Sequence, residues 1–151
     1  MDDWFWEGNV VSQIVIFLQA TGWTIEQVAD TKKFEAGDDI RASRKGETLI
    51  IEVKGYPAAV YLQGKKKGQP KPNATRKAQI SRWFGALLLT AILRQSDNPK
   101  AVVGLALPNF PEYKLLIERT AVSLQKLNLL IYIVHENGQV EVKYDHSSSH
   151  H

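Results

Sequence analysis

The sequence predicts an α/β fold with a mixed central sheet flanked by helices, in the order αβββαβαββ. Three observations lead there. Two stretches, Trp4–Ala20 and Ala74–Leu93, space their apolar residues along one face of a helix. Two others, Ala101–Leu107 and Leu129–His135, are apolar on both faces, as strands buried between layers are. Elsewhere, short alternating segments are joined by turn chemistry at "RKGE" and "ENGQ".

In the first helix Val11, Ile14 and Leu18 recur at helical spacing, and Gly22 stops the pattern. Thr24–Ala29 reads as the first strand. Asp39–Ser43 is the second, with Ile40 and Ala42 on one face and Asp39 and Arg41 on the other. Arg44–Glu47 turns the chain into a third strand, Thr48–Lys54. Tyr56–Asn73 shows no regular pattern, and an irregular segment of that length signals function or disorder. The long helix Ala74–Leu93 carries Ala78, Trp83, Leu87, Leu88, Ala91 and Ile92 on a broad apolar face, with Asn73 or Thr75 as its cap. Glu112–Leu127 reads as one helix. The strand Leu129–His135 then returns through "ENGQ" into Val140–Tyr144 as a hairpin.

A chain of 151 residues, 44% hydrophobic and 23% charged, has the composition of one globular domain, expected over residues 1–145. It has no cysteine, which excludes disulfides and thiolate metal sites and fits a reducing compartment. No apolar run approaches the roughly 18 residues of a membrane span. The acidic start, Met1-Asp2-Asp3, is unlike a signal peptide, so a cytoplasmic location is expected. The tail "HSSSHH", residues 146–151, reads as a tag or cloning remnant, which leaves His135 as the internal histidine. Net charge is +3, but its distribution is uneven: Lys54–Ser96 holds nine of the 19 Lys and Arg residues and no Asp or Glu. A basic middle between acidic flanks favours a polyanionic partner over a merely solvated loop.

Charged residues close the third strand where apolar ones are the rule. Residues two apart on a strand share a face, so Glu52 and Lys54 point together. Pairing across "RKGE" brings Asp39 to the same end. Two close carboxylates repel, and a divalent cation relieves the repulsion. Mg²⁺, with Mn²⁺ as a substitute, takes one or two carboxylates and keeps several waters. Asp39 and Glu52 are the expected ligands, with the Val53 carbonyl as a third and Lys54 beside the coordinated water. The chemistry this set serves is phosphodiester hydrolysis. The plainer reading is that Glu-x-Lys is an exposed strand face, and the buried "LII" before it weighs against that.

The pattern "GDDIRA", a short turn and "LIIEVKG" resembles the PD-(D/E)XK nuclease superfamily, whose fold is restriction-endonuclease-like with an αβββαβ core. The resemblance covers roughly Trp4–Leu107. It implies that Asp39, Glu52 and Lys54 are catalytic and that the chain is a metal-dependent DNA endonuclease acting in restriction, repair, recombination or mobile-element processing. Asp38 stands where the family often has Pro, which leaves Asp38 and Asp39 as alternative ligands. Asp39 is preferred because Ile40 then faces the core. Glu7 matches a family carboxylate on the first helix, although a first-turn Glu also simply complements the helix dipole. Gln79, with Trp83 four residues on, matches a family Gln, although a polar helix border explains it equally. Lys65, Lys66, Lys67, Lys71, Arg76 and Lys77 are the expected DNA-binding residues; Tyr56 and Tyr61 are expected to pack. The partners this implies are DNA, a second copy of the chain as a homodimer for double-strand cutting, or a partner protein. The competing class is a catalytically silent nucleic-acid-binding module or an accessory subunit.

Overall fold

The β2–β3 hairpin sets the register on which the sheet is built. Lys45 and Gly46 form its two-residue turn with φ of 52° and 82°. Positive φ at both positions matches the right-handed twist of the flanking strands. The pairing Arg44↔Glu47 then runs without slip to Ile40↔Ile51. A computed structural model describes residues 3–29 and 38–144. The expected tail, residues 146–151, lies outside them.

The described elements are α1 (Glu7–Ala20), β1 (Thr24–Val28), β2 (Ile40–Arg44), β3 (Glu47–Val53), α2 (Asn73–Asp97), β4 (Val102–Pro108), α3 (Pro111–Arg119), α4 (Ala121–Lys126), β5 (Leu130–Val134) and β6 (Val140–Lys143). The strands form one mixed sheet in the order β1-β2-β3-β4-β5-β6. β1, β2 and β3 are antiparallel, β3, β4 and β5 are parallel, and β6 returns antiparallel to β5. This is the expected restriction-endonuclease-like αβββαβ core, extended by helix and hairpin. None of the described helices is long and apolar enough to cross a membrane.

Two apolar layers cover the sheet. Val10, Val11, Ile14 and Leu18 of α1 pack on Ile40, Ala42, Leu49, Ile51 and Val53. Ile80, Phe84, Leu87 and Ala91 of α2 pack with α3 and α4 on the other face, against Ile50, Val103, Leu105 and Ile131. β4 and β5 are buried on both sides, as their uninterrupted apolar runs require.

Three expectations need correction. The expected helix Glu112–Leu127 is two helices broken at Thr120, whose hydroxyl donates to the carbonyls of Leu116 (2.7 Å) and Ile117 (3.3 Å). The break lies in the backbone: Thr120 has φ −105° and ψ 7°, outside the helical values, and its N–H closes on the carbonyls of Leu116 and Ile117 before α4 begins. The long helix starts at Asn73 with Pro72 at its N-cap, so neither Asn73 nor Thr75 caps it by a side chain. Pro lacks an N–H and has its φ preset for a helix start. The segment before it is not patternless: Val60 bridges Pro70, and Tyr61 and Gln69 continue the bond pattern into a tight tip at Gly64 and Gly68.

Gly55 shows how closely α1 approaches β3. A Cβ there meets the Phe5 carbonyl oxygen and the Glu7 nitrogen at 2.7 Å each. Backbone atoms do not yield as a flexible side chain does. Gly55→Ala is therefore expected to destabilise the protein by about 2–3 kcal/mol, read as a lower urea midpoint at unchanged slope.

Candidate active site

Strand alternation puts Asp39, Arg41, Ile50, Glu52 and Lys54 on the α2 side of the sheet. Their neighbours Ile40, Ala42, Ile51 and Val53 face α1. Asp39 lies one residue before β2 and Lys54 one residue after β3, so the charged groups stand where the ladder ends. In open α/β sheets this zone, at the carboxyl ends of the parallel strands, is where ligands bind.

Side chains continue the ladder there. The Asp39 N–H donates to Glu52 Oε2 (3.1 Å), and the Val53 N–H donates to Asp39 Oδ2 (2.8 Å). In a strand the N–H and C=O of one residue point to the same side, so the Val53 carbonyl faces the Asp39 edge. The Lys54 N–H donates to the Ala106 carbonyl on the opposite side (3.1 Å).

Glu52 is 4% exposed. Burial and the Asp39 charge push its carboxyl up to about 7, against the pull of the Asp39 amide and Arg94. Burial also raises Asp39, opposed by its bond from Val53 and by Arg94 and Lys54. Glu7 is raised by burial, with Lys54 opposing and Asp39 adding to the rise. Three carboxyls thus share one field, with Lys54 among them.

Lys54 Nζ sits 3.8 Å from Glu7 Oε1 and 4.8 Å from the centre of the Trp83 ring. The half-buried ammonium is held by a carboxylate on one side and a π-face on the other. Glu7 serves in two ways at once: it opens α1, where its charge suits the helix dipole, and it touches Lys54. Among the described residues no three carboxylates or histidines cluster tightly enough to hold a metal together. The Asp39–Glu52 pair is the candidate ligand set, and its hard oxygen donors suit a cation that keeps most of its waters.

Asp38 is occupied elsewhere. Its carboxylate lies 2.8 Å from Arg41 Nε and 3.2 Å from Arg94 Nε, which favours Asp39 as the site carboxylate. Arg94 Nε also lies 3.7 Å from Glu52 Oε1. Sequence reasoning missed Arg94. The signal was present: it continues the Ile80, Phe84, Leu87, Ala91 stripe of α2 at helical spacing, and a charge in line with an apolar face needs a partner.

The other expected residues lie around this centre. Gln79 stands one helical turn before Trp83, and its Oε1 accepts from Lys71 Nζ (3.0 Å). Lys65, Lys66 and Lys67 are exposed on the tip of the arm between β3 and α2, with Lys66 near the Tyr61 ring. Lys77 is exposed in the first turns of α2. Arg76 turns to Tyr56, donating to its hydroxyl (3.2 Å), and Tyr56 donates to Glu112 (2.8 Å). Tyr56 packs, as expected, stacked on Phe110 at 3.6 Å. A cavity of about 840 Å³ lined by Trp23, Arg44 and Tyr132 lies at the far end of the sheet and contains none of these residues.

No protein-family model and no curated protein matches the chain. Among solved structures, the fold is similar to that of an XisH family protein from Nostoc punctiforme. That match has 17% identity and a TM-score of 0.50, covering 87% of this chain and 95% of that one. An fdxN element excision controlling factor protein from Anabaena variabilis aligns at 16% identity with a TM-score of 0.48, over 88% and 96% of the two chains. At 17% identity the likeness to the XisH family protein is one of fold.

The raised carboxyls fix a pH dependence. A carboxyl whose folded pKa exceeds its unfolded value binds more protons in the native state, so stability falls as pH rises. For Glu52 that loss spans the window from about 4.5 to about 7. The metal-free protein is expected to melt higher at pH 5 than at pH 8. Glu52→Gln, which removes the buried charge, is expected to raise the melting temperature at pH 8 by roughly 2–4 °C. Differential scanning calorimetry at both pH values checks this, and a wild-type melting point that rises with pH contradicts it.

Proposed function

We propose that the chain is a metal-dependent DNA endonuclease that hydrolyses phosphodiester bonds, with a role in restriction, repair, recombination or mobile-element processing. The observation that carries this reading is the meeting of two mutually repelling carboxylates, half-buried Asp39 and buried Glu52, with the Lys54 ammonium at the end of β3. The similarity to the XisH family protein supports the fold on which it rests.

Asp39, Glu52 and the Val53 carbonyl would hold Mg²⁺, or Mn²⁺ in its place. When bound, the cation polarises a phosphoryl oxygen and acidifies a coordinated water. Lys54, fixed between Glu7 and Trp83, orients the attacking water and offsets the negative charge that builds on the phosphorus oxygens. Glu7 keeps that ammonium in place from the helix side. Gln79, at the base of the arm, orients the phosphate or the water. Lys65, Lys66 and Lys67 on the arm, Lys71 at its base, and Arg76 and Lys77 at the start of α2 bind the DNA backbone without reading its sequence.

One observation favours the competing reading, a silent nucleic-acid-binding module or accessory subunit. Arg94 already gives Glu52 a counter-charge, so the charges balance in part without a cation.

A cleavage assay on plasmid, linear, single-stranded and branched DNA with Mg²⁺ or Mn²⁺ separates the two. Wild type is expected to cut, with Asp39→Ala and Lys54→Ala each lowering the rate by about 10²-fold or more. Folded wild type that shifts DNA and cuts none of it favours the silent module. In electrophoretic shifts across a salt series, the triple change of Lys65, Lys66 and Lys67 to Ala is expected to weaken binding. The slope of log K against log salt should flatten by about 0.9 for each duplex phosphate that is no longer neutralised.

A further inference from the structure

Asp38, Arg41, Asn98 and Arg94 form a closed ring beside the carboxylate pair. Asp38 Oδ2 meets Arg41 Nε at 2.8 Å. Arg41 Nη2 donates to Asn98 Oδ1 (3.3 Å), and Asn98 Nδ2 donates to the Arg94 carbonyl (3.0 Å). Arg94 Nε closes the ring on Asp38 Oδ1 as an ion pair at 3.2 Å, without hydrogen-bond geometry. The ring joins the start of β2 to the end of α2, and Asp38 at its centre is 7% exposed.

Its position matters more than its existence. Arg94 Nε lies 3.7 Å from Glu52 Oε1, against 3.2 Å from Asp38. One guanidinium is shared between an anchor, Asp38, and a candidate metal ligand, Glu52. A cation that binds Glu52 must take that oxygen's charge from Arg94. The tighter the ring holds Arg94, the less Arg94 competes.

We infer that Arg94 is a resident counter-ion that competes with a divalent cation for Glu52, and that the Asp38–Arg41–Asn98 ring sets how strongly it competes. Asp38 and Asn98 are positioning residues acting through Arg94. This rests on the reading of Asp39 and Glu52 as a cation site. It goes beyond that reading by assigning the site's affinity to four residues that make up none of its ligands.

Simple charge counting also predicts that removing Arg94 tightens cation binding and removing Asp38 weakens it. Asn98 separates the two accounts because it carries no charge. Its side-chain oxygen accepts from Arg41, so changing it loosens the Arg41–Asp38 pair on which the Arg94 guanidinium rests and leaves the net field unchanged.

Isothermal titration of the full chain with Mn²⁺ tests this, with circular dichroism to confirm folding. Wild type is expected to bind at one saturable site that Glu52→Gln abolishes. Arg94→Gln is expected to bind Mn²⁺ about tenfold more tightly, within the usual range of coupling between sites. Asn98→Ala is expected to bind about threefold or more weakly, because a loosened Arg94 leans on Glu52. In the Arg94→Gln background, Asn98→Ala is expected to change nothing. Equal affinity of Asn98→Ala and wild type overturns the inference, as does an Asn98 effect that persists without Arg94. The mild Asn98→Ala variant keeps the test decisive if Arg94→Gln fails to fold. A wild type that binds no Mn²⁺, or a Glu52→Gln that still binds it, overturns the cation site itself and this inference with it.

Discussion

Two hydrogen bonds at the open end of the β2–β3 hairpin hold the rest of the site in place. Asp39 gives its N–H to Glu52, and Val53 gives its N–H to Asp39. Where backbone pairing runs out, two carboxylates take over the ladder. This clasp fixes the separation of the acids and turns the Val53 carbonyl toward them. It depends in turn on the register set at the far end by Lys45 and Gly46. A one-residue slip would send Glu52 to the α1 face and leave its charge among Val10, Val11 and Ile14.

The clasp has an electrostatic consequence. Backbone N–H groups stabilise the anions, but burial and mutual repulsion outweigh them, so all three carboxyls of the centre are raised. A structure selected for stability alone would place apolar side chains here, since a buried charge costs more than packed carbon of the same volume. Glu52 follows "LII" directly and, like those apolar predecessors, is buried. Perturbed carboxyls gathered at a strand end are the usual mark of a functional site.

Much of this was legible in the sequence because it depends on short-range rules. Strand alternation placed Glu52 with Lys54 and apart from Val53. The turn residues fixed the hairpin, and the turn is short enough that Asp39 had nowhere else to go. The two-sided apolar runs gave β4 and β5. What stayed hidden depends on long separations or on one residue's change of backbone direction. Arg94 meets Asp38 and Glu52 across more than forty residues, and no local pattern links them. The chain leaves the helix at Thr120, where periodicity alone continues it, through a single residue with non-helical φ and ψ. The arm between β3 and α2 is held by a few backbone bonds between residues with no apolar alternation, so its order left no periodic trace.

The two cations at the centre are not equivalent, and their chemistry explains the division. Lys54 carries a compact ammonium on a flexible stem, resting on Trp83 and facing Glu7. A point charge with rotatable donors can follow a water or a phosphate oxygen as charge develops. Arg94 carries a planar fork, and its place is fixed from two directions, through Asp38 at the guanidinium and Asn98 at the backbone. A rigid, permanently charged group suits a fixed ion pair and adapts poorly to a moving one. Exchanging the two would put the adaptable charge where the acids need a steady neighbour, and the rigid one where the proposed hydrolysis would bring a phosphate. Charge count alone treats them as the same residue type. Their surroundings set Lys54 between Glu7 and Trp83, where the proposed hydrolysis needs it, and Arg94 between Asp38 and Glu52 as their shared counter-charge.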